Sequence, residues 1–192
     1  MRFEYKRQLL HMLMGIAILL IYRFSNLSPW LLIGIAAITF LGFQLNKKLK
    51  LKSLDWVLEK LERAEIKKQF PGMGFCFFLT GAGLSLLLFP KASALAGIAV
   101  LGFGDSASNI FGQLFGRVKH PSWISTNKTV EGSLAGFAAG LLGALIFVNP
   151  VKGVIAASCG TVFEALDIKY KGQKLEDNLL IPIFSALAAS LV

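Results

Sequence analysis

Seven apolar runs, at about residues 8–24, 29–46, 72–89, 92–115, 131–148, 151–166 and 178–192, take up most of this 192-residue chain. Runs of that length and density leave few folds open. Hydrocarbon offers backbone N–H and C=O groups no partner, so a segment buried in it must satisfy them within itself, as a helix does. The hydrophobic share is 55% and the mean hydropathy is +0.64, too apolar for a soluble domain of this size. The predicted fold class is therefore all-α: a polytopic integral membrane helical bundle of about seven transmembrane helices, built as a single membrane-embedded domain over 1–192. Several runs fall short of the roughly 20 residues of a full crossing. Tilt or local thinning of the bilayer accommodates them.

The basic residues give the bundle a direction. With the N-terminus inside, seventeen of the 20 lysines and arginines fall in inner segments, and only Arg23, Lys91 and Lys152 fall outside. Such a bias sets orientation. It predicts a cytoplasmic N-terminus, an odd number of crossings and a C-terminus on the outer side. The net charge of +9 lies mostly between apolar runs, which favours anionic headgroups and argues against nucleic acid as a partner. The acidic residues also lie on or near the inner side, so charged chemistry is expected at the cytoplasmic face. Leu9 to Tyr22 follow basic residues as a signal peptide would. No small-residue cleavage site comes next, and the run is read as a retained helix. Cys76 and Cys159 both sit in apolar runs and offer no metal-ligand spacing. Residues 53–69 are the one long polar insertion. There Leu54, Val57, Leu58 and Leu61 recur at helical spacing, Ser53 can cap the start and Pro71-Gly72 ends it. An amphipathic helix on the cytoplasmic surface is predicted.

Asp105 is the residue that the apolar pattern explains least. It follows a run that reaches from Ser93 through Val100 into Leu-Gly-Phe-Gly. An ionisable group in such a place is costly and points to function. The structural alternative, a packing pair with a lysine, must also offset the burial. Because the charge bias puts this helix end at the cytoplasmic face, the burial is expected to be partial. Gly102 and Gly104 allow the backbone to approach a ligand or to leave helical geometry. Asp105 with Ser106, Ser108 and Asn109 offers the hard oxygen ligands that magnesium takes together with phosphate. Lys128 can offset phosphate charge as a point cation, and Glu131 can hold a second metal, position Lys128 or accept a proton. Thr126 or Thr129 can cap the helix that starts near Glu131, whose free N–H groups suit an anion. No Gly-x-x-x-x-Gly-Lys-[Ser/Thr] pattern is present, so the segment is not a P-loop. Glu164 ends an apolar run on the inner side. Asp177-Asn178 opens the last run, with Asp177 suited to cap it and Pro182 suited to kink it. Glu4, Arg7 and His11 share one helical face, which is either an inner-leaflet anchor or part of the site. Gly132, Gly136, Gly140 and Gly143 form one small-residue stripe and Gly112 and Gly116 another, and close helix packing explains both.

Four stretches stand in order along the chain: Glu4-x-x-Arg7-x-x-x-His11; Gly104-Asp105-Ser-Ala-Ser-x-x-x-Gly112-x-x-x-Gly116; Lys128-Thr-x-Glu131-Gly132-Ser133; and Glu164 followed by Asp177-Asn178-x-x-x-Pro182. As an ordered set they resemble the CTP-dependent lipid kinase family, which contains dolichol kinase, phytol kinase and the yeast-type diacylglycerol kinase. That family is distantly related to phosphatidate cytidylyltransferases. The resemblance implies transfer of the γ-phosphoryl group of CTP to the hydroxyl of a membrane lipid alcohol, with Mg2+ or another divalent cation. It implies catalytic roles for Asp105, Lys128, Glu131 and Glu164, and metal ligation by Asp105, Asp177 and Glu131. It implies substrate or nucleotide contacts for Glu4, Arg7, His11, Gly104, Ser106, Asn109, Thr129, Gly132, Ser133 and Asn178. The implied partners are the lipid alcohol, a nucleoside triphosphate and the bilayer, and a homo-oligomer is compatible with the pattern. The chain departs from the family at Gln8, where a lysine commonly follows the arginine. Two other classes stay open. A CDP-lipid-forming cytidylyltransferase shares the Gly-Asp and Lys-x-x-Glu-Gly features, but its closing Lys-Asp pair and Pro-Gly-His-Gly-Gly run are absent. A transporter with an intramembrane Asp105 should carry repeated halves or paired broken helices. Neither is evident, and the charges gather on one side.

Overall fold

The computed structural model describes residues 2–49, 51, 72–125, 128–166, 168–170 and 173–192. Among these, the helices are α1 (Arg2–Phe24), α2 (Trp30–Leu49), α3 (Met73–Leu88), α4 (Lys91–Phe115), α5 (Val130–Ala144), α6 (Pro150–Ala165) and α7 (Asp177–Ser190). Each apolar run read from the sequence falls on one of them. Three stretches are long and apolar enough to cross a membrane: Glu4–Phe24, Trp30–Leu49 and Lys91–Phe115. The apolar helices α3, α5 and α7 are shorter, at 16, 15 and 14 residues. At 1.5 Å per residue, α7 is about 21 Å long, against a hydrocarbon thickness of about 30 Å. The predicted amphipathic helix at 53–69 and the candidate cap Thr126 lie outside the described residues.

The described residues are predominantly helical, in line with the all-α expectation, with one small addition. Two-residue strands β1 (Lys169–Tyr170) and β2 (Gln173–Lys174) pair antiparallel between α6 and α7, with Lys169 opposite Lys174 and Tyr170 opposite Gln173. Strands this short leave no pattern in the sequence. The helix starts follow local chemistry. Asn149 Oδ1 accepts from Lys152 N at 3.0 Å, and Pro150 supplies a first turn that needs no N–H. Thr129 Oγ1 accepts from Gly132 N at 3.3 Å and caps α5, as expected. Asp177 is not a cap. The Glu176 carbonyl accepts from Leu179 N and Leu180 N, so Glu176 takes the cap position and Asp177 becomes the first helical residue.

The core forms around α4. Its membrane-length window is 67% buried, whereas those of α1 and α2 are 28% and 22% buried. Thus α4 is enclosed, and α1 and α2 present most of their apolar surface outward. Ala94, Ala96, Ile98, Ala99 and Leu101 on α4 and Phe78 on α3 are fully buried. Small side chains set the spacing here. A Cβ at Gly97 would stand 3.0 Å from Ala186 N, so α7 can lie against α4 only because that position is bare. The two glycine stripes seen in the sequence meet between α4 and α5. A Cβ at Gly136 would stand 2.9 Å from Ser108 Cβ and 3.0 Å from Gly104 O, which is the close approach that small residues permit. In the middle of α4, Val100–Asp105 winds as a π-helix. A wide turn of this kind inside an α-helix is frequent at functional sites, and it carries Gly102, Gly104 and Asp105.

Candidate active site

The π turn delivers Asp105 into a small cavity, and α6 brings Glu164 to the same place. Val100, Gly104, Asp105 and Ser108 from α4, Gly136 from α5, Gly160, Thr161 and Glu164 from α6 and Ile181 from α7 line it, around a volume of about 10 Å³. That is room for about one water molecule or one small ion. Asp105 is 9% exposed and Glu164 3% exposed, so Asp105 is largely buried and keeps a small exposed remainder. The enclosing α6 and α7 are distant in sequence, and only the fold brings them over that helix end. Asn109 Nδ2 donates to Asp105 Oδ1 at 2.9 Å, and His11 Nε2 stands 3.7 Å from Asp105 Oδ2. Ser108 Oγ donates to Glu164 Oε1 at 3.0 Å. Among the described residues Glu164 Oε2 is buried with no hydrogen-bond partner. Such an atom is expensive to leave unpaired.

Lys128 closes the cluster from the loop before α5. Its Nζ donates to Glu164 Oε1. The loop is held by a short antiparallel pairing in which His120 N donates to Lys128 O at 3.1 Å and Val130 N to Val118 O at 2.9 Å. Burial alone would lower the pKa of Lys128. The attraction of Glu164, Asp105 and Asp177, with the hydrogen bond to Glu164, outweighs that and raises it. The same balance places Asp177 in the electrostatic field of the cluster. Glu131 is placed differently. Its two carboxylate oxygens accept from Val118 N at 3.1 and 3.2 Å. Among the described residues no hydrogen bond or ion pair joins it to Asp105, Lys128 or Glu164. Thr129 and Gly132 shape the start of α5, and Ser133 Oγ meets His120 Nε2 at 2.9 Å.

The expected face on α1 is present. Arg7 Nη2 bonds Glu4 Oε1 at 2.5 Å, and Gln8 Nε2 reaches the same oxygen at 3.1 Å. Ser106 Oγ donates to the Gln8 carbonyl at 3.2 Å, which ties α1 to the segment carrying Asp105. His11 lies between the two helices, its ring edge-on to Phe78 at 4.6 Å. On α7, Asn178 Nδ2 donates to Gly74 O at 3.1 Å. The four ordered stretches of sequence therefore converge on one end of the bundle.

Comparison with known proteins bears on the same convergence. The chain is 26% identical over 211 aligned residues to CTP-dependent diacylglycerol kinase 1 of Schizosaccharomyces pombe, covering 98% of this chain and 93% of that one. It is 28% identical over 125 residues to dolichol kinase of Saccharomyces cerevisiae, covering 62% of this chain but 23% of the relative. The chain is thus similar to two lipid kinases, one CTP-dependent and one acting on dolichol by name. No family model matches it, and no solved structure does either. The structure brings together Asp105, Lys128 and Glu164, which the sequence singled out, and the fold adds neighbours that the sequence did not indicate. Ser108 was seen as a candidate oxygen but not as the partner of Glu164. Thr161, one turn before Glu164, and Ile181 carry no sequence signal, because each reaches the cavity only through helix packing. His120 sits eight residues before Lys128 in a loop of no regular pattern.

Proposed function

We propose that this protein is a single membrane-embedded kinase that transfers the γ-phosphoryl group of CTP to the hydroxyl of a lipid alcohol at the cytoplasmic face. The observation that carries the reading is the buried cavity shared by Asp105 and Glu164, with Lys128 bonded across its edge. The nearly full-length likeness to a diacylglycerol kinase supports it, as does the seventeen-to-three charge asymmetry read with seven crossings.

Phosphoryl transfer is mostly positioning and charge stabilisation. Lys128 supplies a fixed positive charge beside the cavity, and Arg7 supplies a second from α1, its guanidinium oriented by Glu4. Glu164 Oε2, a buried carboxylate oxygen with no hydrogen-bond partner among the described residues, accepts the proton of the lipid hydroxyl. Such a proton transfer contributes roughly 10²–10⁴-fold. A divalent cation fits the donor chemistry. The oxygens of Asp105 and Glu164 face one small volume, and magnesium is usually bound through one or two carboxylates together with substrate phosphates. Asp105 would hold it, with Asp177 in the same field. When bound, the ion would neutralise charge on the phosphates. Among the described residues no three His, Cys, Asp or Glu side chains gather around one point. Glu131, engaged with Val118 N, acts by fixing the loop that carries Lys128.

The test is a transfer assay in nanodiscs with γ-labelled CTP or ATP and diacylglycerol, dolichol or phytol as acceptor. Label should appear in a lipid with release of CDP. Asp105→Asn, still folded by its elution profile, should abolish it. Release of pyrophosphate would assign the protein to the cytidylyltransferases instead, and unimpaired transfer by Asp105→Asn would remove the proposed site.

A further inference from the structure

Helix α1 lies along the π turn of α4 in an antiparallel register. A Cβ at Gly15 would stand 3.1 Å from Gly102 Cα, His11 Nε2 stands 3.7 Å from Asp105 Oδ2, and the Gln8 carbonyl accepts from Ser106 Oγ at 3.2 Å. The two bare glycines let the backbones approach, and the hydrogen bond at Gln8 fixes one helix against sliding on the other. His11 is therefore delivered to Asp105 between two fixed points. Its ring is set by Phe78 of α3, which is fully buried and meets it edge-on at a centroid distance of 4.6 Å. Among the described residues, His11 Nε2 is buried and has no hydrogen-bond partner.

The chemistry of the pair decides what that nitrogen carries. In a neutral imidazole one ring nitrogen donates and the other accepts, whereas an ionised carboxylate only accepts. A buried Nε2 without hydrogen would set its lone pair against those of Asp105 Oδ2, with no water to separate them. A hydrogen on Nε2 removes that cost, and closing the gap by roughly 0.5 Å makes a hydrogen bond. Asp105 Oδ1 is already held from the other side by Asn109 Nδ2 at 2.9 Å. With both oxygens held, the plane of the carboxylate is fixed toward the cavity that Asp105 lines with Glu164. We infer that His11 is a positioning residue, donating from Nε2 to Asp105 Oδ2 and so orienting that carboxylate for the cation. This replaces the nucleotide contact that the resemblance implies for His11. It rests on the lipid kinase reading, in which Asp105 holds the divalent ion. Loss of a group that orients a metal ligand typically costs about 10–100-fold in metal affinity or activity.

Two measurements on the full-length protein in nanodiscs test it. The chain has two histidines, so His120→Gln leaves His11 as the single ring when histidine is isotopically labelled. Nitrogen NMR should show a hydrogen on Nε2. Asp105→Asn should shift that resonance, because a neutral acceptor bonds more weakly than a charged one. An Nε2 without hydrogen, or one that Asp105→Asn does not move, would overturn the inference. The second measurement reads the Mg2+ concentration that gives half-maximal transfer. His11→Leu, which offers no donor, should raise it about tenfold and leave KM for the lipid unchanged. His11→Gln, which keeps an N–H at similar reach, should recover most of the loss. A lowered unfolding midpoint with an unchanged Mg2+ requirement in His11→Leu would make His11 a packing residue only. The NMR reading needs no turnover, so the two ideas fail separately. A wild type that transfers no phosphate would remove the kinase reading, and a transferring protein whose Nε2 carries no hydrogen would remove the role of His11.

Discussion

Glu164 shares one of its oxygens between Lys128 and Ser108 and leaves the other buried and unpaired among the described residues. A carboxylate buried in that position has lost its hydration and needs compensation from its neighbours. The lysine carries most of the compensation, and a buried pair broken on one side costs about 3–5 kcal/mol. Its raised pKa fixes the sign of a pH effect. A lysine raised on folding stabilises the native state fully below its unfolded value, about 10.4. That contribution is lost only as pH climbs through the folded value. Thermal midpoints in detergent should therefore show no loss from this pair between pH 7 and 9. Lys128→Met should lower the midpoint by a similar amount throughout that window. A wild-type decline between pH 7 and 9 that Lys128→Met abolishes would contradict the assignment. At this scale the sequence disclosed Asp105, Lys128 and Glu164 by their chemistry and position, but not that Glu131 turns to Val118 N. A motif gives spacing along a chain; the direction of a side chain depends on a loop with no period to read.

Among the elements, the contact of α4 with α5 bears most on the site. Gly136 both lines the cavity and lets the helices touch. Gly136→Leu would need space that Ser108 and the Gly104 carbonyl already fill, and overpacking of this kind costs about 1–3 kcal/mol. It should lower the unfolding midpoint in detergent and reduce transfer, whereas Gly34→Leu should do neither. Equal midpoints for the two variants would show that the stripe does not set the helix spacing. The stripes themselves were legible, because small residues at helical intervals have few other uses in an apolar helix. The π turn at Val100–Asp105 was legible only as a weakness. Gly102 and Gly104 permit departure from the α-helix, but its hydrogen-bond pattern is selected by the packing of α1, α5 and α6 around it.

For the whole molecule, the charge asymmetry predicts a direction through the membrane that cysteine labelling can read. Starting from the protein with Cys76 and Cys159 replaced by alanine, Asn26→Cys lies between α1 and α2, and Ser122→Cys lies in the loop before Lys128. Both positions are exposed. A membrane-impermeant maleimide should label position 26 in intact cells and position 122 only after lysis; the reverse pattern would place the site on the outer face. The sequence by itself determined the helices, their approximate bounds and the chemistry available to the chain. Apolar length, glycine spacing, caps such as Thr129 and isolated charges are local properties, and local energetics are enough to express them. The tertiary structure decided which charges share a space. It buried Asp105, joined Glu164 to Lys128 across 36 residues, and tied Asn178 to the Gly74 carbonyl, 104 residues earlier in the chain. Those pairings depend on how helices far apart in sequence pack against one another, and the energy of that packing is spread over many small contacts that no single motif records.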